Sequence, residues 1–401
     1  MVKGSSLFGQ LLRHFPRAEF AGLVKKHQAE RNAKGFKCWD QFVAMLFCQV
    51  AGADSLRVIC NGLRCCLGRL RHLGLDGAPN KSTLSYANAH RPAALYEELF
   101  FTSLRRLRQS GGVGMRNKAF RFKNKLLSLD STTISLCLQL FPWADFRRAK
   151  GGVKLHVLLD HDDYMPSYVL LSEARRHDRV MMSRFRFNKG SIVVLDRAYI
   201  DYAQFLTWTE QGVFFVTRMK SNAQYDVVDS RPLPRRGNIL ADEWIVLIGA
   251  ASKKKYPYIL RRVVVWDEAN QREITLLTNH TKFAATTIAA IYKDRWQIEI
   301  FFKTLKQRLK VKTFIGTSEN ALRIQIWTAL IALLLLKWMH HISQAAWSLS
   351  NLCDMLRLNL ALYRPLLDWL HNPFGQLDAS EDDNIGAQLE FPLFDLGQLK
   401  A

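Results

Sequence analysis

Between Leu126 and Met219 the apolar residues come in short runs whose connections leave few folds open. "LLSLDSTTISLCL", "GGVKLHVLLD" and "YMPSYVLLSEAR" read as three strands joined by turns. After a helical "DRVMMSRFRF" come a strand in "GSIVVLDRAY", a helix in "DYAQFLTWTEQG" and a further strand in "VFFVTRM". Strands linked by turns pair antiparallel, whereas strands alternating with helices run parallel. The pattern predicts a mixed sheet with helical cover, an α/β core.

A β-rich stretch from about 220 to 282, carrying "SKKKYPYILRRVVVW", reads as an insertion into that core, because a helical period returns afterwards at "YKDRWQIEIFFKTLK", residues 292 to 306. The flanks are helical. The first runs from Leu7 to about Arg108 and ends in a glycine-rich, basic linker, "GGVGMRNKAFRFKNK"; the last, 314 to 401, carries an acidic patch, "DASEDD". The expected division is therefore 1–124, then a core at 125–313 interrupted by the insertion, then 314–401. Within the first part, the turn in "GAPNKSTLSYANAHR" with Ser82 placed to cap a new helix resembles the second half of a helix-turn-helix.

Charge narrows the partners. Lys plus Arg number 57 against 35 Asp plus Glu, a net charge of +22, and a field of that sign draws polyanions, DNA first among them. Hydrophobic residues at 48% exclude a disordered chain. Seven cysteines form no C-x-x-C pair and no zinc spacing, so they read as buried free thiols in a reducing cytoplasm. The N-terminal stretch has no continuous apolar segment of the secretory kind. The longest apolar run, Ile326 to Leu336, is too short to span a bilayer and reads as a buried helix.

Against this basic background three carboxylates stand out. Asp130 follows "LLSL" and Asp196 follows "IVVL", so adjacent strands ending in these acids would bring both to one sheet edge. Like charges so placed repel unless a cation sits between them, and oxygen ligands favour magnesium over zinc. The third is Glu299. At roughly 100° per residue, Tyr292, Arg295, Glu299 and Lys306 form a polar stripe about 60° wide beside Ile291, Ile298, Phe301, Phe302, Leu305 and Leu309. Taken alone, that stripe is an amphipathic helix with a salt bridge. Asp160, in "DHDDYMP", reads as a turn residue, and Asp178 as a cap or ion-pair partner among arginines.

"DST" at 130–132, "DRAY" at 196–199 and Tyr292-x2-Arg295-x3-Glu299-x6-Lys306 together resemble the DDE transposases of bacterial insertion sequences, specifically the insertion-sequence 4 family with its Y-R-E-K signature. The resemblance implies an RNase H-like catalytic core with a β-rich insertion, a helical N-terminal DNA-binding domain and a helical C-terminal region that could serve in dimerisation. It implies that Asp130, Asp196 and Glu299 bind two Mg2+ ions, with Mn2+ as a substitute, and that Tyr292, Arg295 and Lys306 contact DNA phosphates. Trp296 could stack on an unpaired base, although a tryptophan is more often core. The implied activity is cut-and-paste transposition on double-stranded DNA by a homodimeric synaptic complex, in the bacterial cytoplasm at the nucleoid and without a membrane. A nuclease lacking strand transfer and a non-catalytic DNA-binding descendant are the alternatives. Ala198 departs from the family, which usually has glycine there.

Overall fold

The computed structural model describes residues 5–31, 33–65, 69–111, 120–136, 145–147, 150–173, 181–235, 237–309 and 314–375. Helices come first: α1 (Leu7–Leu12), α2 (Arg17–Lys26), α3 (Cys38–Ala51), α4 (Leu56–Arg64), α5 (Lys81–His90) and α6 (Ala94–Gln109). The sheet begins with β1 (Leu126–Leu136), β2 (Asp145–Arg147), β3 (Lys150–Asp160) and β4 (Met165–Glu173). It continues through β5 (Ile192–Leu195), helix α7 (Tyr202–Glu210) and β6 (Phe214–Arg218). The five principal strands lie in the order β4-β3-β1-β5-β6, with β3 antiparallel to both β1 and β4, and β5 and β6 parallel to β1. This is the mixed sheet that the run pattern predicts.

The insertion does not form a separate unit. Its strands β7 (Tyr225–Ser230), β8 (Ile239–Leu247), β9 (Leu260–Asp267) and β10 (Arg272–Thr278), with the short helix α8 (Ala250–Lys255), extend the same sheet, because β10 pairs with β6. Every residue of β5 is buried, as a parallel strand covered on both faces must be. One face, with Leu127, Leu129, Val193, Leu195 and Phe215, packs against Phe205 and Trp208 of α7. The other, with Leu126, Ile192, Val194 and Val216, packs against Ile288 and Ile291 of α9 (Ala285–Asp294).

After α9 come α10 (Trp296–Arg308), α11 (Glu319–Ile342), α12 (Leu349–Asn359) and α13 (Leu366–His371). Ser318 caps α11 by accepting from the Ala321 amide at 3.2 Å. The run Ile326 to Leu336 is buried, as expected, and packs among α3, α5, α6, α10 and α12. Among the described residues α11 is one helix long and apolar enough to cross a membrane; here protein encloses it. The N-terminal helices, α10, α11 and one end of the sheet thus share a single hydrophobic core.

Two local expectations change. Helix α5 begins at Lys81 with Asn80 at its N-cap, so Ser82 lies inside the helix rather than capping it. Of "DRVMMSRFRF", Met181 is helical and Met182–Arg184 is a 3-10 turn; the residues before Met181, Asp178 among them, and "DASEDD" lie outside the described residues. Cys38, Cys48, Cys60 and Cys353 are buried free thiols as expected, whereas Cys65 is exposed.

Candidate active site

Strands β1 and β5 pair in register up to Leu129 opposite Leu195, and β5 and β6 up to Leu195 opposite Thr217. One step further lie Asp130, Asp196 and Arg218. Side chains alternate faces along a strand, and Leu126, Ile192, Val194 and Val216 face α9. Carried on, that alternation turns Asp130, Asp196 and Arg218 to the α9 side as well. The two aspartates therefore meet at one level on adjacent strands, though not because both strands end there: β1 runs on to Leu136. Asp196 sits just past the short β5 and caps the 3-10 turn Arg197–Tyr199, its Oδ1 accepting from the Ala198 amide at 3.1 Å. Ala198 is not among the residues with positive φ, so its methyl group imposes no strain where a glycine was the expected residue.

The helix carrying the polar stripe is broken, contrary to its continuous period. Helices α9 and α10 meet at Arg295, where Arg295 N bonds Tyr292 O at 3.2 Å and Ile298 N bonds Arg295 O at 3.1 Å, the tighter spacing of a 3-10 turn. Ile298, Phe301, Phe302 and Leu305 bury the inner face of α10, which leaves the stripe along its edge. Arg295 Nη2 donates to Glu299 Oε1 at 2.8 Å and Nη1 to Asp130 Oδ2 at 3.4 Å. Its guanidinium carbon lies 5.6 Å from the Tyr292 ring centre. Its Nε is buried with no hydrogen-bond partner among the described residues.

Burial pushes the Asp130 carboxyl from an ordinary 3.8 up to about 6; the Ser131 amide and Arg295 pull it back, and the charges of Asp196 and Glu299 push it further. Burial likewise raises the Tyr292 phenol, with Arg295 and Arg218 opposing and Asp196 adding. For Arg295 burial acts downward, but Tyr292, Glu299 and Asp130 outweigh it and hold the guanidinium above its usual range. Among the described residues no three acidic, histidine or cysteine side chains are gathered tightly enough to hold a metal ion as they stand. Arg295 stands between Asp130 and Glu299 instead. The donor set itself, three carboxylates with neither sulfur nor imidazole, suits a hard divalent cation.

The remaining residues of the signature divide. Lys306 Nζ donates to the Thr133 carbonyl of β1 at 2.9 Å, tying α10 to the strand that bears Asp130. Trp296 is 58% exposed, so the usual core role is not its role here. Arg218 is a basic residue of the site that its sequence context, "VTRM", does not reveal; only the register of β6 against β5 brings it level with Asp196. Asp160 ends β3 where the β3–β4 turn begins, accepting from the Asp162 amide of that turn at 3.0 Å. It is also 2% exposed and bridges Lys125 at 2.6 Å and Arg108 at 3.2 Å. Asp160→Ala is therefore expected to cost about 1–3 kcal/mol in denaturant unfolding, a loss that a solvated turn residue would not show.

Residues 121–335, more than half of the chain, match the family described as "Transposase DDE domain", and residues 3–76 match a "Domain of unknown function (DUF4372)". The chain is 35% identical over 264 residues to "Putative transposase y4zB" of Sinorhizobium fredii, covering 65% of this chain and 71% of that protein. It is 34% identical over 227 residues to "Probable transposase for insertion sequence element IS5377" of Geobacillus stearothermophilus, covering 56% of this chain and 59% of that protein. A third relative, "Putative transposase for insertion sequence element IS4SA" of Synechocystis, is 26% identical over 301 residues, with 72% and 80% covered. The chain belongs to the DDE transposases of insertion sequences, enzymes that cleave and join DNA.

Proposed function

We propose that this transposase cuts DNA at the terminal inverted repeats of its element and joins the freed ends to a target, with Asp130, Asp196 and Glu299 as catalytic and metal-binding residues. The observation that carries the reading is the placement of Asp130 and Asp196 level on adjacent strands, with Arg295 linking Asp130 to Glu299. DDE transposases use divalent metal ions, and Mg2+, replaceable by Mn2+, is the ion this oxygen donor set favours. Two such ions, when bound, activate the attacking hydroxyl and stabilise the leaving oxygen of an in-line phosphoryl transfer. The protein's own part is positional. Asp130, held by the Ser131 amide at 2.7 Å, and Asp196, held by the Ala198 amide, keep their carboxylates aimed into the site. Arg295 suits a phosphate because its planar fork can grip two oxygens. Tyr292 and Lys306 flank the same path, and the exposed Trp296 offers a face for an unpaired base.

End recognition falls to the region 1–124. Helix α5 leaves Lys81, Ser82, Ser85 and Tyr86 exposed while burying Leu84, Ala87 and Asn88, which presents a polar, basic face to a groove. The C-terminal region, 314–401, is assigned to pairing two copies in a synaptic complex, acting in the cytoplasm at the nucleoid. Incubating the purified chain with a duplex carrying the terminal repeat, target DNA and Mg2+ tests the reading. Cut ends together with joined products support transposition, whereas cut ends without joined products leave a nuclease. Affinity for the end duplex should fall steeply with salt, with a log–log slope of about −0.9 per phosphate contacted. A flat response in a salt-titrated gel shift would remove DNA as the partner of the basic surface.

A further inference from the structure

Ser128, two residues before Asp130 and on the same face of β1, starts a second chain of polar contacts that the chemistry above does not use. Its hydroxyl lies 2.6 Å from His161 Nε2, and His161 Nδ1 lies 2.5 Å from Asp294 Oδ2. The Tyr164 hydroxyl donates to both Asp294 oxygens at 3.4 Å. A hydrolytic nucleophile in such a serine–histidine–aspartate order would need access to substrate, but Ser128 is 0% exposed. The chain acts within the protein.

Its geometry parallels that of the site. Ser128, His161 and Asp294 form one rung between β1 and the α9–α10 junction; Asp130, Arg295 and Glu299 form the next. Asp294 is the last residue of α9, immediately before the break. No proline or glycine lies at that break, so something else must hold it. A carboxylate at a helix C-terminus is opposed by the helix dipole and needs a donor, and His161 and Tyr164 supply two. The turn that carries them is itself constrained. The His161 amide donates to the Leu126 carbonyl at 3.1 Å. Tyr164 adopts φ 52°, a left-handed conformation that costs a bulky residue about 1–2 kcal/mol and persists only where its surroundings enforce it. Lys337 from α11 enforces it, donating to the Tyr164 carbonyl at 2.5 Å and the Asp163 carbonyl at 3.3 Å. Burial and the Asp294 carboxylate push the Tyr164 phenol up to about 12, so its hydroxyl stays a donor.

We propose that His161, Tyr164 and Asp294 are positioning residues, which fix the helix break at its spacing from β1 and so set Arg295 and Glu299 opposite Asp130. This rests on the reading of Asp130, Arg295 and Glu299 as the site.

The test compares Asp294→Leu, Asp294→Asn, Tyr164→Phe and Asp130→Ala with wild type. The readouts are single-turnover cleavage at saturating end DNA, end-DNA affinity and thermal melting. Asp294→Leu, which cannot accept, is expected to lose roughly a hundredfold in rate with affinity within about threefold. Asp294→Asn still offers a carbonyl to His161 and should recover most of that rate. Tyr164→Phe should lose several-fold at unchanged melting, and it decides the matter if Asp294→Leu does not fold. Wild-type rates in Asp294→Leu or Tyr164→Phe overturn the proposal. So does an equal loss in Asp294→Leu and Asp294→Asn that follows their melting. If Asp130→Ala also cuts, the reading of the site has failed; if only Asp130→Ala is inactive, the positioning role alone has failed.

Discussion

Asp130→Ala, Asp196→Ala and Glu299→Ala are each expected to lower single-turnover DNA cleavage in Mg2+ by at least roughly a thousandfold while leaving end-DNA affinity nearly intact. A metal's stabilisation of the transition state amounts to several kcal/mol, each 1.4 kcal/mol being a factor of about ten, whereas the basic surface that holds DNA is untouched. Folding should not confuse the result. Asp130 is raised in the folded state to about 6 by burial, so its ionisation opposes folding: the penalty is absent below about pH 4, grows as pH rises, and is complete above about pH 6. In metal-free buffer above that pH, Asp130→Asn should melt no lower than wild type, with a gain of up to about 3 kcal/mol, the pull of Arg295 on the charged form being already included in that shift. A variant of any of the three that still cuts at the wild-type rate takes that residue out of the site.

Arg295→Lys is expected to cost roughly a hundredfold in cleavage with little change in melting. The guanidinium reaches Glu299 and Asp130 with different nitrogens, and lysine, a single point charge, cannot reproduce that span. If Arg295 only neutralised these acids, keeping the charge would keep the activity. If it also grips a scissile phosphate, a displacement near 1 Å suffices for a loss of this size. Melting and single-turnover cleavage on one preparation separate the two, since activity lost in proportion to stability would mark a salt bridge and nothing more.

The strands bearing Asp130 and Asp196 were legible because four mainly apolar residues precede each acid and turn or helix signals bound them. Glu299 was legible as one carboxylate on a basic helix edge, and the signature spacing tied the three together. What the sequence hid depends on pairing. Arg218 joins the site only through a register between strands more than twenty residues apart, and β10 completes the sheet only by returning to β6. The break at Arg295 was invisible because its cause lies in His161 and Tyr164, far along the chain, while the apolar period passes through it unchanged. Asp160 looked like an ordinary turn residue because Arg108 and Lys125, which bury its charge, are distant in sequence.

The enclosure of α11 governs when this protein can exist on the ribosome. Helices α3, α5 and α6 pack against α11, where the Gln49 side chain donates to the Gln325 carbonyl and the Asn320 side chain to the Asn88 carbonyl. Their core is therefore completed only after more than two hundred further residues have been synthesised. Until then the N-terminal helices hold exposed apolar surface, the state in which nascent chains aggregate or are degraded. A gene copy interrupted before α11 should accordingly leave no stable DNA-binding fragment to compete with the intact enzyme for the element's ends.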